Sequence, residues 1–268
     1  MIRNKAGKDI ALKAVRPNAG IRAAYHNKLV ALVDDMARSY AYWLRARYRE
    51  YPPRLARDAS PAAELERELK TLGSRWQKNF DEAAPKLARW FALSSAARSD
   101  AALRKILKDA GFTIKLTIAP SIRDVLDATI NENVALIKSI PSHFHTQVSG
   151  SVMRSVTAGR DLSDLTKDLQ HQFGVTRRRA EFIALDQNNK ATAMLQRARH
   201  LELGITGAIW LHSGGGKEPR KTHKAQNGKK FDLKEGWFDP DPKVRQFIFP
   251  GELPRCRCVA RPVVKGFS

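Results

Sequence analysis

Apolar residues recur at steps of three and four through the first third of the chain, and this periodicity constrains the fold more than any other feature. One stripe starts at Ile21 and a second starts at Leu65. Each predicts an amphipathic helix with one buried face. Pro52 should end the first helix and Pro61 should begin the second, so we predict a helical hairpin. The stripes consist of Ile21, Tyr25, Leu29, Leu32, Met36, Tyr40 and Trp43, then Leu65, Leu69, Leu72, Trp76, Phe80, Leu87, Trp90 and Phe91.

Changes in this pattern divide the chain into four predicted parts. Residues 1–20 are basic and interrupted by glycine and proline, which indicates a mobile or partner-bound tail. Residues 21–112 form the helical hairpin, residues 113–204 a helical middle region, and residues 205–268 a β-rich C-terminal module. The predicted class is therefore mainly α, with a small α+β module at the C-terminal end.

The middle region should hold several shorter helices, because proline or glycine interrupts its apolar pattern. Alternating residues at 113–119 indicate a strand or an extended connector. Breaks are expected at Pro141 and at Gly174. The predicted helices cover about 121–138, a segment that begins at 141, about 163–173, and 177–203.

The charge balance favours an anionic partner. The chain has 48 Lys+Arg against 27 Asp+Glu, a net charge of +21. DNA or RNA is the usual partner of such a chain, and a solvated basic surface without a dedicated ligand is the alternative. No apolar run reaches about 18 residues, so we expect no membrane contact. We also expect no signal peptide, and two cysteines fit an intracellular origin.

The last quarter of the chain concentrates unusual residues, including both cysteines, a glycine triplet and two turn dipeptides. A strand is predicted at 205–212, with Trp210 as its core anchor. Asn227-Gly228 predicts a type I′ hairpin turn, and Val259 to Val264 predict a final strand. A small β-rich module results.

We expect no bound cofactor, and zinc is the metal that this module could hold. His223, Cys256 and Cys258 are nitrogen and sulfur donors of the kind that tetrahedral zinc prefers, and His212 is a further candidate. Arg220, three residues before His223, prevents a C-x-x-C half-site. In the alternative interpretation the cysteines are small buried groups and His223 bonds a turn carbonyl.

Catalytic signatures are not evident. Arg255 and Arg257 give the cysteines only a generic electropositive setting. The glycine triplet lacks the lysine and the strand–loop–helix context of a phosphate-binding loop. We therefore expect no enzymatic activity and assign no catalytic residue.

The order of the motifs resembles the phage Mu F-like family of minor head, or head-morphogenesis, proteins of tailed bacteriophages. The similarity covers about residues 120–264. Many members carry C-x-x-C where this chain has Arg220 and His223, so the resemblance implies a zinc site that has lost one ligand. The motif positions are Trp210, Arg220, His223, Gly228, Phe231, Pro250, Gly251, Cys256, Arg257 and Cys258.

The resemblance implies a structural minor head protein that acts in procapsid assembly. Such a protein would bind the portal protein, the major capsid protein or both, and would contact or accompany the packaged double-stranded DNA. It would lie in the virion, at the capsid interior or portal, and in the host cytoplasm during assembly. We expect the N-terminal helices to dock onto another head protein. The alternative function is a stand-alone basic nucleic-acid-binding protein.

Overall fold

A computed structural model describes residues 8–50, 61–157, 162–215 and 218–266. The described helices are α1 (Ala19–Glu50), α2 (Pro61–Asp109), α3 (Pro120–Thr157), α4 (Leu162–Glu202) and α5 (Lys221–Gln226). The described strands are β1 (Ile10–Ala11), β2 (Gly207–Leu211), β3 (Lys230–Asp232), β4 (Trp237–Asp239), β5 (Gln246–Ile248) and β6 (Val259–Val264). The protein is mainly α with a small α+β C-terminal module, which confirms the predicted class.

The described residues pack into two compact units whose segments alternate along the chain. Among the described residues, those within 1–22, 90–130 and 185–268 belong to the first unit, and those within 23–89 and 131–184 belong to the second. The four parts expected from the sequence, divided at residues 20, 112 and 204, stay a prediction.

The apolar stripe of α1 lies in the core of the second unit. Tyr25, Met36 and Tyr40 are at most 1% exposed. The stripe then continues through Leu44, which is fully buried, and not through Trp43, which is 37% exposed. An α-helix needs about 3.6 residues per turn, so a step of four from Tyr40 keeps the side chain on the buried face.

The stripe of α2 is also buried, through Leu65, Leu69, Leu72 and Phe80. Near the start of this helix, Glu68 Oε2 lies 3.4 Å from Arg47 Nε, close to the end of α1. This contact is the one expected of an antiparallel hairpin. The connecting turn at residues 51–60, with its prolines, lies outside the described residues.

Two predicted helix breaks are wrong, because α3 runs through Pro141 and α4 runs through Gly174. Pro141 removes one backbone hydrogen bond, but the buried side chains of Ile140 and Phe144 flank it. Glycine in a helix costs about 1 kcal/mol relative to alanine. Burial on both sides of each position outweighs these local costs, so both helices stay continuous.

The strand considered for residues 113–119 is not formed, and the segment is an irregular connector. Arg199 explains how it is held. The guanidinium is buried and pairs with Asp100 Oδ2 at 2.6 Å and with Glu202 Oε2 at 2.8 Å. The same guanidinium donates to the Thr117 carbonyl. The connector is therefore fixed by a side chain of α4 and not by a strand partner.

A four-stranded antiparallel sheet forms the centre of the first unit, in the order β1-β6-β2-β3. The final strand is confirmed at Val259–Val264, and it lies between β1 and β2. Trp210 on β2 is fully buried, which confirms it as a core anchor. A separate pair, β4 and β5, forms an antiparallel hairpin.

Part of the expected tail is instead a strand. Ile10 pairs with Val264, and Leu12 and Val15 are buried in the first unit's core. Arg261 reinforces the pairing, because its Nε donates to the Leu12 carbonyl at 2.9 Å. The prediction of a tail was wrong because the apolar residues here are too few to show a period. The strand forms only by pairing with β6.

None of the described helices combines the length and apolarity that crossing a bilayer requires.

His200 should make the stability of the first unit depend on pH. Its ring is 1% exposed, and burial lowers its pKa to about 4, from 6.5. The folded chain then binds fewer protons than the unfolded chain below pH 6.5, so stability is lost as the pH falls. We expect this residue to account for about 1.5 kcal/mol of the loss between about pH 6.5 and pH 5.

Urea denaturation across this pH range measures the effect. His200→Gln should reduce the change in the free energy of unfolding between about pH 6.5 and pH 5 by about 1.5 kcal/mol. His171→Gln, at an exposed position, should leave that change as in wild type. Equal slopes in wild type and His200→Gln would contradict the prediction.

Candidate metal centre

One imidazole faces two thiols in the core of the first unit. His223 lies on α5 with its ring 2% exposed, and Cys256 and Cys258 are each 4% exposed. His223 Nδ1 is 3.5 Å from the Cys256 sulfur and 3.6 Å from the Cys258 sulfur. The donor atoms of the three residues all lie within 4.8 Å of one another. The structure thus brings together the three ligands that the sequence proposed.

The local backbone explains how both sulfurs reach the same place. Side chains alternate across extended chain, so Cys256 and Cys258 point to one side and Arg257 points to solvent. The segment is anchored to α4, where Asn189 Nδ2 donates to the Cys256 carbonyl at 3.3 Å. Asp186, also on α4, accepts a hydrogen bond from the backbone N–H of Arg255 at 2.6 Å.

The nitrogen–sulfur distances are those of a tetrahedral metal site. Zinc bonds of about 2.3 Å to sulfur and about 2.0 Å to nitrogen place neighbouring sulfur and nitrogen ligands of a tetrahedral site about 3.5 Å apart. The two distances from His223 Nδ1, 3.5 and 3.6 Å, agree with that value. The residues present therefore fit zinc. A fourth ligand would come from water or from a donor that the described residues do not supply.

Hydrogen bonding divides the protons unequally between the two thiols. The pKa of Cys256 is lowered, first because the Cys258 thiol donates to it, and further by His223 and the Gly251 N–H. The pKa of Cys258 is raised, because its proton is held by Cys256 and because burial opposes a second negative charge. The pair therefore retains one proton, which a divalent cation would displace.

Asp239 is a buried neighbour of the cluster that the sequence analysis missed. Its carboxylate is fully buried, and Oδ2 lies 3.2 Å from His223 Nε2. The period-two pattern of a strand could have identified it, since Phe238 beside it points outward and is 46% exposed. An acidic residue in a proline-rich stretch is usually solvated, so Asp239 was not considered as a buried residue.

Aromatic rings enclose the cluster. The Trp210 ring centroid lies 5.2 Å from His223, 5.6 Å from Phe231 and 5.3 Å from Trp237, in edge-to-face arrangements. These contacts explain why the motif contains a tryptophan and a phenylalanine at these positions. They exclude water from the imidazole and raise the cost of leaving its polar atoms unpaired.

The motif glycines form turns, one of them of a different type from the prediction. Asn227 has φ −54° and ψ 131°, Gly228 has φ +81°, and the Lys229 N–H donates to the Gln226 carbonyl. These values define a type II turn that follows α5, so the type I′ prediction is wrong. The reason is that α5, and not a strand, precedes the turn.

The remaining candidates lie at the edge of the cluster. Arg220 Nη2 donates to the Pro254 carbonyl at 3.1 Å, which ties the start of α5 to the loop before the cysteines. The exposed Arg257 has no place in the cluster. His212 Nδ1 accepts the Gly214 N–H at 3.0 Å, and His212 is not among the grouped donors.

The comparisons with known proteins agree with the motif order. Residues 146–261 match the family model described as phage Mu protein F like protein. The expected resemblance is confirmed over these residues, which are similar to phage Mu protein F-like proteins.

A protein of Haemophilus influenzae (strain ATCC 51907 / DSM 11121 / KW20 / Rd), described as uncharacterized, is 34% identical over 146 residues. The alignment covers 54% of this chain but 31% of that protein. The chain therefore spans about a third of the relative's length. No solved structure matches the chain significantly.

Gly251 should tolerate alanine less well than Gly228, although both have positive φ, +85° and +81°. A Cβ at Gly251 would lie 2.8 Å from Ala193 Cβ, whereas a Cβ at Gly228 would meet nothing within 4 Å. We expect Gly228→Ala to cost about 1 kcal/mol for backbone strain, and Gly251→Ala roughly 3 kcal/mol because a steric clash adds to it.

The free energy of unfolding, measured by urea titration of both variants, tests this difference. Equal losses at the two glycines would show that the segment next to α4 adjusts without cost.

Proposed function

We propose that the protein is a structural, non-enzymatic minor head component that acts in procapsid assembly, at the portal or on the inner capsid wall. The observation that carries this proposal is the family match over residues 146–261, which contains the buried cluster and every motif position. The proposal places the protein in the virion, and in the host cytoplasm during assembly.

The burial of the cluster supports a structural role over a catalytic one. His223, Cys256 and Cys258 are between 2% and 4% exposed, and the rings of Trp210 and Trp237 pack against the imidazole. A substrate would have to displace this packing to reach the sulfurs. A site of this kind supports the fold around it.

The docking of the N-terminal helices onto another head protein stays a proposal, and it requires apolar side chains that the fold leaves exposed. Most residues of the apolar stripes of α1 and α2 are buried and are not available for docking. Other large apolar side chains remain exposed on the described part of the chain. They are Tyr42, Trp43, Leu93, Ile118, Phe238 and Phe247.

Mass spectrometry of purified DNA-filled heads and empty procapsids tests the assembly role. We expect the protein in both particles, at low copy number relative to the major capsid protein. Particles that assemble without this protein, purified from a deletion mutant, provide the background control. If the protein is absent from both particles, the proposal fails.

Direct contact with the packaged DNA is a second candidate, and the net charge of +21 favours it. Binding through phosphates releases counterions, so affinity for a DNA duplex should fall steeply between about 50 mM and about 200 mM salt. Fluorescence anisotropy with a labelled duplex measures this slope. Weak binding that does not depend on salt would remove both this role and the stand-alone nucleic-acid-binding alternative.

We also propose that His223, Cys256 and Cys258 hold zinc. Bound zinc would supply a crosslink between α5 and the segment that precedes β6. Two buried polar atoms support the proposal, since neither His223 Nε2 nor Asp239 Oδ2 has a well-aligned hydrogen bond among the described residues. Metal binding to Nδ1 would fix the imidazole and give these atoms a defined partner.

Cys258→Ser should abolish stoichiometric zinc binding, because a serine hydroxyl is a poor zinc ligand. Arg257→Ser is the matched control, since Arg257 is the exposed residue between the cysteines. We expect about one zinc per chain in wild type and in the control, and a chelator should lower Tm in both. Elemental analysis and thermal melts measure these outcomes. If wild type takes up no zinc, the metal proposal is wrong.

A further inference from the structure

The β4–β5 hairpin carries its side chains in alternation, and one inward position is a carboxylate. Asp239 is fully buried, and Ile248 on the paired strand is fully buried as well. Phe238 and Phe247 oppose each other across the hairpin, and they are 46% and 59% exposed. The hairpin thus has an outer aromatic face and an inner face that ends in one negative charge.

The inner charge has a single imidazole beside it. Asp239 Oδ1 accepts the Asp241 N–H at 3.0 Å, and Oδ2 lies 3.2 Å from His223 Nε2. The other ring nitrogen of His223 faces the two cysteine sulfurs. A buried carboxylate without a partner is costly, so a donor at His223 Nε2 is strongly favoured.

We propose that Asp239 is a positioning residue for the metal site. A neutral imidazole carries its proton on one nitrogen, and the carboxylate holds that proton on Nε2 of His223. The Nδ1 lone pair is thereby directed toward Cys256 and Cys258, where a metal ion binds. This inference rests on the proposed zinc site and adds a residue that neither the motif order nor the ligand set contains.

The arrangement also couples the metal to the hairpin. His223 lies on α5 and Asp239 on β4, so the contact at 3.2 Å joins two elements that are separate in sequence. Zinc fixes the ring of His223, and the ring in turn fixes Asp239. Metal removal should therefore loosen residues 237–248, including the outer pair Phe238 and Phe247.

The test compares two acidic residues of one hairpin. Asp239→Asn keeps the shape of the side chain but removes its charge. Asp241→Asn is the matched control, because Asp241 Oδ1 accepts the Lys243 N–H at 2.9 Å and does not face the imidazole. Zinc affinity is measured for the full chain by competition with a chromophoric chelator.

We expect Asp239→Asn to weaken zinc binding about 10- to 100-fold, the usual effect of removing the carboxylate behind a ligating histidine. Asp241→Asn should stay close to wild type. Hydrogen exchange of residues 237–248 should accelerate in Asp239→Asn and in chelator-treated wild type, but not in the zinc-loaded control.

A measurement on wild type keeps the inference testable if Asp239→Asn does not fold. In ¹⁵N-detected NMR of the zinc-loaded protein, His223 should carry its proton on Nε2 and bind metal through Nδ1. The reverse assignment would overturn the inference.

The outcomes separate the two proposals. If wild type binds no zinc, the metal site and the role of Asp239 both fall. If wild type and Asp239→Asn bind zinc with equal affinity, only the role of Asp239 falls. The assembly function is tested independently on purified heads and is unaffected by either result.

Discussion

The C-terminal module depends on the need to satisfy a small polar cluster inside an apolar core. An imidazole, two thiols and a carboxylate are all at most 4% exposed. Each would lose hydrogen bonds to water on burial, so each requires a partner within the cluster. That requirement fixes where α5, β4 and the Cys256–Cys258 segment can lie. The rings of Trp210 and Trp237 make this requirement stricter, because they keep out water that could hydrogen-bond to an unpaired polar group.

Helix α4 extends this constraint beyond the module. Asn189 and Asp186 bond the backbone of the cysteine segment at 3.3 and 2.6 Å. Ala193 lies where Gly251 passes so closely that a side chain there would clash. The helix is thus part of the wall that shapes the turn before the cysteines. The family match includes all of α4.

Sequence reasoning worked best where a signal is local. The stripes from Tyr25 and Leu65, and the strand at 259–264, follow from periodicity and are formed as expected. The three grouped donors could be found because few residue types bind zinc.

The failures share one physical cause, which is that distant packing decided the local outcome. Pro141 and Gly174 read as helix breakers, yet burial on both sides of each keeps α3 and α4 continuous. Strand β1 has two residues, too few for a period, and forms only because β6 offers an edge. The burial of Asp239 could not be predicted from its own segment, because its contact is with His223, sixteen positions earlier on another element.

The pairing of β1 with β6 has a consequence for how the chain acquires its structure. Arg261 bonds the carbonyl of Ala11 across a separation of 250 residues. Contacts this distant close late, because the entropy of a long loop must be lost before they form, and such topologies fold slowly. Until β1 arrives, one side of β6 is an open strand edge that another chain can occupy. Folding of the first unit and the avoidance of aggregation are therefore in kinetic competition, and crowding many copies together before the sheet closes would favour aggregation.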